Sequence, residues 1–290
     1  MFDSLWEVSL MKIGVLGAGT MGNGIAQVMA SAGYEVILCD VNKEMLGKAA
    51  KMIDANLWRL YKKEDRDFNE IGQVLSRITF TAEKNALVDM DVIVEAIVEN
   101  IDWKKKVFAE LDAICEEKTI IASNTSGLSI TEIGAATDRA DRVIGMHFFN
   151  PVPVMKLVEI IRGSDTSNET YEIIARLVQK IGKESISIVD APLFVVNRIL
   201  VPMLNEAMFV LGEGIASAED IDKGMMLGTN QPIGPLALAD LIGLDTLLSV
   251  AETLFEETGD SKYRVPPLLR KHVRAGHLGR KTGRGFYQYN

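Results

Sequence analysis

His147 and Glu159 stand twelve residues apart in a stretch that is otherwise largely apolar, and together they have the make-up of a device for moving a proton. Arg142 to Phe149 is rich in the β-branched and aromatic residues that suit a buried strand. Pro151 and Pro153 stop it, and Lys156 to Ile161 resumes the apolar pattern. A chain reversal between these two strands could bring the imidazole and the carboxylate together. A carboxylate beside an imidazole fixes the ring's tautomer and stabilises its cationic form, which makes the ring a better base. The chain has three histidines, and an arbitrary one near a strand end is more often a hydrogen-bonded structural residue than a base. Other signals are needed to choose between those readings.

The second signal lies near the start. Lys12 to Leu16 forms a short apolar strand, Gly17-Ala18-Gly19-Thr20-Met21-Gly22 follows at once, and Asn23 to Ala32 reads as a helix. This is the pattern of a dinucleotide-binding turn. Gly17 permits the tight turn, Gly19 lets the backbone approach a pyrophosphate, Gly22 lets helix pack on strand, and the helix N-terminus offers N–H groups to the anion. A second strand, Glu35 to Cys39, ends in Asp40, eighteen residues after Gly22. A carboxylate there can accept from both ribose hydroxyls of an adenosine and would repel a 2′-phosphate, so the pattern favours NAD over NADP.

The elements that must position these groups follow from periodicity. Strands are expected at 12–16, 35–39, 78–80, 91–97, 119–123, 142–149, 156–161 and 184–189, with helices at 20–32, 43–63, 102–116, 129–136 and 168–181. That alternation implies an α/β domain, residues 1–190, built on a mostly parallel sheet covered on both faces. A helical insertion at about 43–76 holds two helical segments where an ordinary crossover needs one, the second at about Asn69 to Arg77. Its charged stretch, Arg59, Lys62, Lys63, Glu64, Asp65 and Arg66, reads first as a solvated face.

After Asp190 the pattern changes, and residues 191–290 read as an all-α domain with one possible short strand at Gly285 to Tyr289. Pro202 falls inside the helical segment 194–213, and Ser217 to Asp220 can cap the next helix. The apolar faces around Val201 to Phe209 and Leu236 to Leu248 exceed what such a bundle needs inside, so part of them could bury against another subunit.

With 290 residues and 48% apolar content the chain can bury a sizeable core. Its apolar runs are too short to span a bilayer. Its net charge of −9 argues against a nucleic-acid partner. Met1 to Leu10 carry Asp3 and Glu7 but no Lys or Arg, and so fit neither a secretory signal nor an Arg-rich transit peptide; Met11 is a candidate ancestral start. Cys39 and Cys115 lack metal or redox spacing and read as buried free thiols of a reducing compartment, by default the cytoplasm. No metal site is expected.

The glycine loop, Asp40, Ser123-Asn124-Thr125-Ser126, the His147 segment, Val196-Asn197-Arg198 and the closing Gly279 to Tyr287 together resemble the L-3-hydroxyacyl-CoA dehydrogenases, closest to the short bacterial 3-hydroxybutyryl-CoA dehydrogenases. The resemblance runs from about Lys12 to the C-terminus. It implies a Rossmann-type NAD-binding domain, a helical dimerisation domain forming a homodimer, an active site in the cleft between them, and an acyl-CoA thioester as substrate. It also implies a role for each matching residue. His147 would take the proton of the 3-hydroxyl while C3 gives up hydride, with Glu159 holding and charge-balancing the imidazole. Ser126 and Asn197 would contact the substrate oxygens. Residues 17–22, namely Gly17, Ala18, Gly19, Thr20, Met21 and Gly22, would hold the pyrophosphate, Asp40 the adenosine ribose, and Glu99, Lys104, Ser126, Asn150 and Lys281 would surround the ribose and nicotinamide. On the helical insertion Lys63 matches a basic contact to coenzyme A, while Asn56 stands where many relatives carry serine.

Without the family, Ser126 could equally be a helix-capping residue, Asn197 a buried amide, and Glu99 and Lys104 ordinary helix-start charges. The chain departs from the family in two further places. Leu193 replaces a glycine between Pro192 and Phe194, and Gly127 replaces a second serine. Two other functions fit parts of the pattern: a dehydrogenase of a small free hydroxy acid, and an NAD-binding protein without catalysis. A panel of acids with and without coenzyme A separates the first, and tight NADH binding with no turnover would mark the second.

Overall fold

Short runs of Val, Ile and Leu bounded by turn residues form one eight-stranded sheet in the computed structural model, which describes residues 11–289; the expectations for Met1 to Leu10 fall outside the described residues. The strands are β1 (Lys12–Leu16), β2 (Glu35–Cys39), β3 (Ile78–Thr81), β4 (Val92–Glu95), β5 (Ile120–Ser123), β6 (Val143–Phe148), β7 (Leu157–Arg162) and β8 (Glu184–Val189), in the spatial order β3-β2-β1-β4-β5-β6-β7-β8. Every neighbouring pair is parallel except β6 and β7. The connection 149–156 between those two is too short to hold a crossover helix, so the chain must reverse there. The chain runs from β1 outward to β2 and β3 and then returns to pair β4 on the other side of β1. The connections after β1 and β4 therefore part at their carboxyl ends and leave a crevice.

Helices α1 (Thr20–Ser31), α2 (Lys43–Glu64), α3 (Asn69–Ser76), α4 (Ile101–Ile114), α5 (Ile130–Gly134) and α6 (Asn168–Lys180) accompany the sheet. Their starts follow local chemistry: Asn42, Asn100, Ser129 and Ser167 each accept hydrogen bonds from backbone N–H groups of the first turn that follows. α2 buries Leu46, Ala49, Ile53, Leu57 and Tyr61, a single stripe at helical spacing, and with Ile71 and Val74 of α3 this stripe joins the main core. The charged side of the insertion faces solvent, with Arg66 folded back over the Tyr61 ring at 4.1 Å and bonded to Glu70 at 2.9 Å.

The chain divides after Asp190 into two units. The second is helical, with α7 (Val196–Gly212), α8 (Ala218–Thr229), α9 (Pro235–Ile242), α10 (Leu244–Thr258) and α11 (Pro267–Arg274). Its own core gathers Leu204, Met208, Leu236, Leu244, Leu254 and Leu269 among others. α7 runs through Pro202, and Ser217 caps α8 by accepting from Asp220 N at 3.1 Å. The short strand expected at Gly285 to Tyr289 does not form. Only isolated bridges occur there, because the N–H groups of Phe286 and Tyr287 donate to the carboxylate of Asp240, each at 3.0 Å, instead of to a neighbouring strand.

Candidate active site

The turn after β1 has the shape its glycines imply. Gly17 adopts φ +106°, and a Cβ there would stand 2.5 Å from the carbonyl oxygen of Ala96; at Gly22 it would stand 1.7 Å from that of Gly17. Gly19 differs, since a Cβ there would meet nothing within 4 Å. The packing of the fold does not demand glycine at 19, whereas the approach of a ligand would. Among the described residues no side chain caps α1, so its first N–H groups, at Thr20, Met21 and Gly22, are available to an anion.

Asp40, at the end of β2, accepts from Ala18 N through Oδ2 and from Asn42 N through Oδ1, both at 2.8 Å. These bonds fix the carboxylate beside the glycine turn, and each oxygen keeps a further lone pair for a hydroxyl. The adjoining cavity, about 430 Å³, is lined by Gly17, Gly19 and Asp40 and walled by the exposed apolar side chains Val41, Val98 and Trp103. A pyrophosphate on the turn, a ribose on Asp40 and a flat base against those walls fit this surface.

On the other side of the crevice the ends of β4 and β5 carry a polar cluster. Lys104 is 1% exposed, and its ammonium bonds Glu95 at 2.6 Å and lies 3.4 Å from Glu99. Glu99 in turn accepts from Thr125 Oγ1 at 2.6 Å and from Ser126 N at 2.8 Å. Three expected residues, Glu99, Lys104 and Ser126, are thus brought together. Of these, Lys104 is buried among carboxylates and is no surface charge at a helix start. Gly127 N donates to Thr125 Oγ1, so the missing second hydroxyl leaves the turn around Ser126 closed.

His147 and Glu159 are direct partners across the antiparallel pair of β6 and β7, and His147 Nδ1 lies 2.6 Å from Glu159 Oε2. Both are buried. An ionised carboxylate only accepts, so Nδ1 carries the hydrogen and Nε2 is the basic nitrogen of the neutral ring. The Phe149 ring packs on the imidazole with centroids 4.5 Å apart. Asn150 is exposed at the start of the connection that follows. That connection is anchored by Lys183, whose buried ammonium donates to the carbonyls of Val152 at 2.7 Å and Met155 at 2.6 Å.

The other expected residues lie elsewhere. Lys63 is exposed and Asn56 half-buried on α2, seven residues apart and so on one face of that helix. Asn197 and Lys281 belong to the second unit, Asn197 in the first turn of α7 and Lys281 in the closing loop, where its ammonium pairs with Asp245 at 2.5 Å. Leu193 has φ +60°, the region glycine prefers, while its side chain is 2% exposed in the second core. Leucine there carries a backbone cost of about 1–2 kcal/mol that a glycine would not.

Three residues were given no role by reading along the chain. Glu95 is one. Asn124 is another: its side-chain oxygen accepts from Phe148 N at 2.9 Å, tying β6 to the end of β5 beyond their last paired residues. Asp240 is the third. A Cβ at Gly285 would stand 1.9 Å from its Oδ1 and one at Gly279, φ +91°, 2.3 Å from its carbonyl oxygen, which accounts for two glycines of the closing motif. The polar type of these residues inside apolar or turn segments is their only signal in the sequence.

A family model for the 3-hydroxyacyl-CoA dehydrogenase NAD-binding domain matches residues 12–191, and one for the 3-hydroxyacyl-CoA dehydrogenase C-terminal domain matches residues 194–289. The chain is 50% identical over 280 residues to the 3-hydroxybutyryl-CoA dehydrogenase of Clostridioides difficile, covering 97% of this chain and 100% of that one. It is 42% identical over 290 residues to the human mitochondrial hydroxyacyl-coenzyme A dehydrogenase, covering 98% and 92%. Among solved structures, the (S)-3-hydroxybutyryl-CoA dehydrogenase of Ralstonia eutropha matches with a TM-score of 0.94 at 52% identity, over 97% of this chain and all of the other.

Proposed function

This chain belongs to the 3-hydroxyacyl-CoA dehydrogenase family, and from that membership we propose that it interconverts a short (S)-3-hydroxyacyl-CoA with its 3-oxoacyl-CoA, 3-hydroxybutyryl-CoA and acetoacetyl-CoA first among them. The observation that carries the reading is the buried His147–Glu159 pair, 2.6 Å between Nδ1 and Oε2, next to the last residue pair before the β6–β7 reversal. The names borne by the bacterial relatives support the four-carbon substrate.

NAD, when bound, accepts the hydride that leaves C3. The chain's own residues do the rest. His147 Nε2 takes the proton of the 3-hydroxyl in oxidation and returns it in reduction, and an alcohol becomes a good hydride donor only as that proton leaves. Glu159 keeps Nδ1 protonated and balances the charge that the ring gains, an effect that burial strengthens. Ser126 and Asn197 donate hydrogen bonds to the 3-oxygen and the thioester carbonyl. Gly17 to Gly22 hold the pyrophosphate of the cofactor and Asp40 its adenosine ribose, and Glu99, Lys104, Ser126, Asn150 and Lys281 surround the nicotinamide and its ribose. Lys63, with Asn56 on the same face, meets a phosphate of coenzyme A. We also assign the exposed apolar side chains of the second unit, Ile215, Leu227 and Leu241 among them, to a homodimer contact, which sedimentation would check. The two buried free thiols suit a reducing compartment such as the cytoplasm. Among the described residues no helix is long and apolar enough to cross a membrane.

The direct test is NADH consumption by the purified protein given acetoacetyl-CoA. His147→Gln should lose most turnover and keep NADH binding. Equal rates with free acetoacetate would overturn the coenzyme A assignment, and tight NADH binding with no turnover on any acyl-CoA would overturn the enzyme.

A further inference from the structure

Glu95 is the last residue of β4, paired in register with Leu16 of β1 on one side and Ser123 of β5 on the other. It is fully buried, yet its carboxylate collects three donors: Ile97 N at 2.7 Å, Lys104 Nζ at 2.6 Å and Ser123 Oγ at 2.7 Å. Buried carboxylates are rare unless paired, and this one sits where the strands on either side of the crevice end.

Two arms leave it. The bond to Ile97 N closes the turn Glu95–Ile97, whose Ala96 carbonyl is the atom that forbids a Cβ at Gly17. The other arm is electrostatic. Lys104 has one ammonium for two carboxylates, and it lies closer to Glu95 at 2.6 Å than to Glu99 at 3.4 Å. Glu99, 46% exposed at its side chain, is thereby left to hold Thr125 Oγ1 and Ser126 N.

We propose that Glu95 is a positioning residue for the cofactor: by holding Lys104 inward it keeps Glu99 and Ser126 at the mouth of the crevice. This rests on the assignment of Glu99 to the nicotinamide half of the cofactor. A neutral residue at 95 would leave the buried ammonium with Glu99 as its nearest carboxylate. Glu99 would then be drawn toward Lys104 and away from Thr125 and Ser126.

Glu95→Gln preserves the shape, because its amide nitrogen can face Ser123 while the hydroxyl turns from donor to acceptor. The experiment is a double-mutant cycle on NADH affinity, measured by fluorescence titration of wild type, Glu95→Gln, Glu99→Gln and the double variant. Each single change should raise the Kd about tenfold, and the double should raise it no further, because both act on one arrangement. A purely structural role would make the two changes multiply, to about a hundredfold; that result, or a wild-type Kd in Glu95→Gln, overturns the proposal. An unchanged Kd in Glu99→Gln overturns the assignment of Glu99 to the cofactor and takes the proposal with it. Should Glu95→Gln not fold, Glu95→Asp keeps the charge but draws the carboxylate back from Lys104 by one methylene, and the cycle with Glu99→Gln decides in the same way: a rise in Kd that does not multiply supports the proposal, and one that multiplies, or no rise, overturns it.

Discussion

Replacing Glu159 by Gln removes a charge and leaves the side-chain shape, so it isolates what the carboxylate does for His147. The two side chains are 5% and 0% exposed and meet at 2.6 Å, so little water screens them. With charge centres roughly 4 Å apart and an effective dielectric of about 20, the carboxylate stabilises a protonated ring by about 4 kcal/mol. The Gln oxygen can still accept from Nδ1–H, which recovers about 1 kcal/mol. The net loss of about 3 kcal/mol corresponds to a kcat on the order of a hundredfold lower. The assay is NADH consumption at saturating acetoacetyl-CoA, with NADH affinity and thermal unfolding measured alongside. NADH affinity should stay at its wild-type value, since Glu159 is not among the cofactor contacts assigned above. Because Glu159 acts through the ring, His147→Gln with Glu159→Gln should be no slower than His147→Gln alone. A folded Glu159→Gln protein within a few-fold of wild-type kcat would refute the reasoning, as would losses that multiply in the double variant.

Gly19→Ala should leave the unfolding midpoint unchanged, since a Cβ there meets nothing within 4 Å, while NADH affinity falls; Gly22→Ala, 1.7 Å from a carbonyl oxygen, should lower both. Burial pushes the thiols of Cys39 and Cys115 from 9.0 up to about 11, so both should resist alkylation near neutral pH until the chain is unfolded. The same shift carries a sign. The folded chain holds these protons where the unfolded chain releases them, so their contribution to stability is fully present below pH 9 and is lost between about 9 and 11, measurable as a falling urea midpoint. Lys183→Met strips the donor from two carbonyls and should cost about 1–3 kcal/mol for each acceptor left unsatisfied; an unchanged urea midpoint would show that Val152 and Met155 find other donors.

Much of the first unit was legible because its signals are local. The strand cores of β1, β2 and β8 follow from short apolar or alternating runs, and the helical period places the starts of α2 and α6 at Lys43 and Asn168. The β6–β7 reversal was legible too, since Pro151 and Pro153 divide one apolar run into two strands. The tail was not. Gly285 to Tyr289 has a strand's composition, but its N–H groups are claimed by a carboxylate more than forty residues earlier in the chain.

The glycine turn, the acid after β2, the alternation that builds a mostly parallel sheet and the candidacy of His147 with Glu159 are all readable along the chain. Each depends on backbone permissiveness or hydrophobic period, which act over a few residues. Folding, by contrast, is what buries Lys104 between two carboxylates, lets Glu95 join β4 to β5 at the crevice, and sets Asp240 against the closing motif. Whether a charged side chain stays in water or is desolvated against a partner depends on what other segments bring to it. In these cases the partners are 9, 28 and 46 residues away in the chain, beyond the reach of any local pattern.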